Sequence, residues 1–137
     1  MKQYILTVSE NQMRVIMIAL EDYFRTRMGQ YFDLSNDVAK NGYEYDKNNP
    51  DNGRLFNEYI WRRDEAKKLF EKAYTVAAPD VYKRGKTPDV ISAIDIWSAI
   101  RYQRWKDNPN HKHWTVDSRE PYSESGEPLI QIEVVDE

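Results

Sequence analysis

Apolar residues at Met13, Ile16, Met17, Leu20, Phe24 and Met28 recur at three- and four-residue intervals, the spacing that lines one face of a helix. Ser9 followed by Gln12 makes a capping-box pattern just before that run. Glu21 stands four residues before Arg25, an ion pair one turn apart. A first helix is therefore predicted from Ser9 to about Met28. Gly29 is placed to end or kink it, because glycine is a poor helix former. The segment "QYFDLSNDVA" continues as a second helical piece, and "KNGYEYDKNNPDNG" is a long turn-forming loop. A second long helix is predicted from about Arg54 to Tyr74, with Leu55, Tyr59, Ala66, Leu69, Phe70 and Ala73 inward and Arg62 or Arg63 breaking that stripe. After a basic loop, Thr87 is a cap, Pro88 occupies a first helical turn, and a last helix runs to about Lys106 before "NPNH" ends it.

Three segments switch to a period of two and predict strands: "QYILTVS" near the start, "HWTVD", and "PLIQIEVVDE" at the end. With strands at both ends of the chain, the expected class is α+β and helix-dominant: three to four helices packed on a small antiparallel sheet formed by the N- and C-terminal strands. The 137 residues are expected to make a single domain.

The last helix does not sort its residues by polarity. Ile91, Ile94, Asp95, Ser98, Arg101, Tyr102 and Trp105 share one side, while Val90, Ala93, Trp97, Ile100 and Arg104 share another. A helix apolar most of the way round is buried or at an interface, and charges on it need partners. Its polar positions are expected to face a symmetry mate or a ligand.

Charge sharpens that expectation. The net charge is only −3, but residues 54–112 carry 13 basic and 8 acidic side chains, and residues 113–137 carry 1 and 7. A basic middle before an acidic tail suggests a local anion-binding region or mutual neutralisation, and disfavours nucleic acid as partner. Arginines beside aromatic rings suit phosphates and bases. The candidate ligand-binding residues are Arg25, Arg27 and Gln30 from the first helix, and Arg62 and Arg63 from the second long helix. Arg101, Tyr102 and Trp105 come from the last helix, with Asp95 orienting an arginine or accepting from a ribose hydroxyl. The same residue types are enriched at protein interfaces, so a homo-oligomer or a protein partner is the competing reading.

No cysteine is present, which excludes disulfides and thiolate chemistry. His111 and His113 have no carboxylates at ligand spacing, so no metal and no cofactor is expected. Glu58, Glu65 and Glu71 miss the spacing of a magnesium-holding helix pair, and no nucleophile triad or phosphate loop occurs. The reading is non-enzymatic, the alternative being a nucleotide-processing enzyme with an unrecognised site. No run approaches a membrane span, and the expected location is cytoplasmic.

Three stretches, "ALEDYFRTRMGQYFDL", "AIDIWSAIRYQRWKDNP" and "WTVDSREPYSESGEPLIQIEV", resemble a group of small, mostly uncharacterised bacteriophage and prophage proteins. That resemblance implies an accessory protein acting in the host cytoplasm against host defence. It would sequester a nucleotide-like signal, as the Thoeris and cyclic-oligonucleotide sponges do, or occupy a host defence protein. No site residue is carried over from those proteins.

Overall fold

A computed structural model of the chain describes residues 2–43, 46–77, 86–108 and 118–135. Among the described residues the regular structure is four helices: α1 (Glu10–Arg27), α2 (Phe32–Lys40), α3 (Asn52–Ala77) and α4 (Pro88–Asp107). The chain forms two compact units, one from Met1–Phe24 and Thr87–Glu137, the other from Arg25–Lys86, with the boundary inside α1.

The α+β expectation is overturned: no strand occurs among the described residues, and the fold is all-helical. Tyr4, Ile5 and Leu6 of the predicted first strand are exposed, as are Ile130, Val134 and Val135 of the last. Strand propensity records how well a side chain fits a pleated, half-buried surface rather than an intrinsic backbone preference. Among the described residues neither segment meets a neighbouring strand, so the alternation builds no sheet there. "HWTVD" lies outside the described residues, as do His111 and His113.

The helix ends follow local chemistry. The Ser9 amide donates to Gln12 Oε1 at 2.8 Å and the Gln12 amide to Ser9 Oγ at 3.2 Å, so the capping box closes as predicted. Gly29, at φ 77°, stops α1. A Cβ at this position would come within 2.8 Å of the Tyr74 ring, so both the backbone and the close approach require glycine. Thr87 Oγ accepts from the Val90 amide at 3.4 Å, with Pro88 in the first turn of α4.

In the unit of residues 25–86, α2 packs on α3. Tyr31 is buried between Phe70, at 5.8 Å between ring centroids, and Tyr74, at 5.6 Å. Tyr59 is buried against Tyr43 and donates its hydroxyl to Asn36. The inner stripe of α3 is thus Tyr59, Arg63, Phe70 and Tyr74, which keeps Tyr59, Phe70 and the arginine break of the predicted face but not Leu69 and Ala73, which face out, Leu69 at 68% exposure. The rings that flank α2, Tyr31 and Tyr43, select this face, since aromatic pairs add to area burial. The side holding Leu69 and Arg62 is left to solvent.

In the other unit, α4 buries Val90, Ala93, Ala99 and Ile100, and Phe24 of α1 meets Trp97 edge-on at 5.3 Å. Arg104 Nη1 approaches Met17 Sδ at 3.8 Å on the same side. The side of α4 carrying Val90, Ala93, Trp97 and Ile100 therefore faces the core.

Candidate functional site

The other side of α4 carries Asp95, which is buried. An ionised carboxylate there needs donors, and the C-terminal segment supplies them. The amides of Glu124 and Ser125 donate to its two oxygens at 3.0 Å each. Ser125 Oγ donates at 2.6 Å and Ser123 Oγ at 3.5 Å. Two successive backbone amides pointing at one anion make a small nest, here filled by the protein's own carboxylate. Desolvation pushes the Asp95 carboxyl up, but the hydrogen bonds from Ser125, Glu124 and Ser123 outweigh it and hold the group below its ordinary value.

The turn that makes this nest reads "SESGE". Ser125 Oγ accepts from the Glu127 amide at 3.2 Å, the one hydroxyl proton of Ser123 is shared between Asp95 and the nearer Glu127 carbonyl, and Gly126 supplies the positive φ of 80°. Asp95 thereby fastens residues 118–135 to α4. From Arg119 on that segment is irregular, and it displays Tyr122, Ile130, Val134 and Val135 to solvent beside exposed Glu120, Glu124, Glu127 and Glu133.

The remaining candidates divide between the two units. On α4, Arg101 lies over the Trp97 ring at 4.5 Å. Tyr102 stacks with Trp105 at 5.9 Å, and Lys106 sits over Tyr102 at 4.9 Å. Cation and ring therefore engage one another within the helix.

In the other unit, Arg25 and Gln30 come together, Nη1 donating to Oε1 at 2.9 Å, while Arg25 Nε meets Asp33 at 2.8 Å. They line an open groove of about 490 Å³ with Gly29, Tyr31, Phe32, Asp33, Lys67 and Glu71. Lys67 in turn pairs with Glu71 at 3.4 Å. Two cations against two carboxylates leave the groove without net charge.

Arg63 packs over Phe32 at 4.9 Å and pairs with Asp64 at 3.0 Å. Arg62 approaches Glu58 at 3.9 Å and lies beside Gly42. Arg27 is exposed in the last turn of α1, and its carbonyl accepts from the Tyr74 hydroxyl at 3.1 Å. Arg25, Gln30 and Lys67 thus meet in one unit, and Asp95, Arg101, Tyr102 and Trp105 belong to the other.

Sequence reasoning missed the partner of Asp95. A signal was present in the serine- and glycine-rich "SESG", whose residue types form such turns. No described helix is long and apolar enough to cross a membrane. No family model matches the chain, and neither a characterised protein nor a solved structure does.

Proposed function

We propose that this chain is a non-enzymatic interaction module that grips a basic protein partner with its C-terminal segment. The observation that carries the reading is the Asp95 fastening: a buried carboxylate holds a segment of no regular structure against α4. Acidic residues and large apolar ones stand exposed side by side along that segment. Preorganising such an arm lowers the entropy lost on binding, and its acidic residues favour encounter with a basic surface. In the phage setting that the sequence resemblance implies, the partner is a host defence protein. The test is capture from a bacterial host lysate with the wild-type chain and with Glu124→Lys/Glu127→Lys/Glu133→Lys. The reading expects a protein retained by the first and lost by the second; equal retention overturns it.

A second reading, sequestration of a nucleotide-like signal, draws on the groove that joins Arg25, Gln30 and Lys67 to the Tyr31 and Phe32 rings. Against it, Arg25 and Lys67 already sit on Asp33 and Glu71. A thermal-shift screen against cyclic di- and trinucleotides, cyclic ADP-ribose isomers and mononucleotides separates the two. A ligand at 100 times its dissociation constant adds about 2.7 kcal/mol, a shift of several degrees. A selective shift that disappears in Arg25→Ala would favour the nucleotide.

A further inference from the structure

The outer face of α3 has a symmetry that its inner face lacks. Packing on α2 takes the Tyr59, Arg63, Phe70 and Tyr74 side, which leaves a stripe of Arg54, Glu58, Trp61, Glu65, Leu69, Lys72 and Val76 pointing away. The intervals along the stripe run four, three, four, four, three, four, the same read from either end, with Glu65 at the centre. Its apolar members are the large exposed ones: Trp61 is 64% exposed, Leu69 68% and Val76 78%.

We infer that this face binds the same face of a second copy, the two α3 helices running antiparallel about a two-fold axis at Glu65. A two-fold interface must be self-complementary, each residue meeting the one reflected through the axis. The stripe satisfies this. Trp61 meets Leu69 of the partner copy, apolar against apolar, and Glu58 meets Lys72 of the partner copy, opposite charges. Val76 lies against the aliphatic stem of Arg54 of the partner copy. Each pair occurs twice. The two Glu65 carboxylates near the axis are already balanced by their own Lys68, at 3.1 Å. Lys72 has no ion-pair partner among the described residues, so Glu58 of a second copy would be its first.

Charge also sets the direction. In a parallel pair in register, Glu58 would face Glu58, Lys72 would face Lys72 and Arg54 would face Arg54, and like charges across an interface are disfavoured. Only the antiparallel arrangement turns each of these into an attractive or neutral contact. The stripe spans about 33 Å of helix at 1.5 Å per residue. One helix face per protomer is a small interface, so association is expected in the micromolar range.

Sedimentation velocity of the full chain from about 5 to 200 µM brackets that range. The wild-type chain should pass from monomer to dimer. Glu58→Lys and Lys72→Glu, each with unchanged helical circular dichroism, should weaken dimerisation at least tenfold alone, because each sets like charges opposite one another twice. Mixed in equal amounts they should dimerise again, since one variant is then basic at both positions and the other acidic at both, and each of the two contacts pairs opposite charges. Leu69→Glu should abolish association with no rescue from either variant. A wild-type chain that stays monomeric, reversals without effect, or a mixture that stays monomeric would overturn the inference.

Discussion

Replacing Asp95 with Ala removes the acceptor of three short hydrogen bonds, from Ser125 Oγ at 2.6 Å and from the Glu124 and Ser125 amides at 3.0 Å. Hydrogen bonds to a charged group contribute about 1.5–3 kcal/mol each to stability. The three do not add fully, because they share one carboxylate and the released turn can turn its amides to water. The expected loss is about 2–4 kcal/mol, placing this among the more damaging single substitutions. For a chain of this size that lowers the melting temperature by about 10 °C. Calorimetry reads the loss, and amide hydrogen exchange localises it: Glu124 and Ser125 should exchange fast in the variant while the Ala99 and Ile100 amides of α4 remain protected. A change under about 0.5 kcal/mol, the range of an ordinary surface substitution, would refute the fastening role. So would unchanged exchange at Glu124 and Ser125.

The same group makes a pH prediction. Because the folded-state pKa of Asp95 lies below its ordinary value, its stabilisation is fully present above the usual carboxylate range near 4 and is lost as pH falls through the folded value. The stability gap between wild type and Asp95→Asn should hold constant from about pH 7 to 5 and narrow below about pH 4; a gap that widens in acid would contradict the sign. Gly29→Ala should cost about 1–3 kcal/mol by urea unfolding, from the positive φ and the approach to Tyr74, and an unchanged midpoint would refute the requirement for glycine. Ser35 is fully buried and its hydroxyl has no hydrogen-bond partner among the described residues, so Ser35→Ala should be neutral or stabilise by up to about 1 kcal/mol, checked by the same titration.

Helical periodicity and caps were readable wherever the structure is decided locally. Ser9 with Gln12, Gly29, Thr87 and Pro88 each act within one turn of chain, and each is found where the pattern placed it. Faces and strands were not readable in this way, because they are decided by what comes alongside. Leu69 fits an inward stripe by spacing alone, but Tyr31 stacks on Phe70 and Tyr74, and the helix turns toward the rings. Tyr4 to Val8 and Leu129 to Val135 have the composition of strands and, among the described residues, no strand to pair with. The need of Asp95 for donors was legible from a charge on an apolar helix; that the donors lie in a serine-rich turn some thirty residues further on was not.

The arm's fastening is tested most directly by capture from lysate with three chains side by side: wild type, Asp95→Ala, and the triple Glu124, Glu127 and Glu133 reversal to Lys. Asp95→Ala should lose most of the captured partner although every residue of the arm is intact, and the reversal should lose it entirely. Retention by Asp95→Ala equal to wild type would show that the arm binds without being held on α4, and would overturn the fastening role.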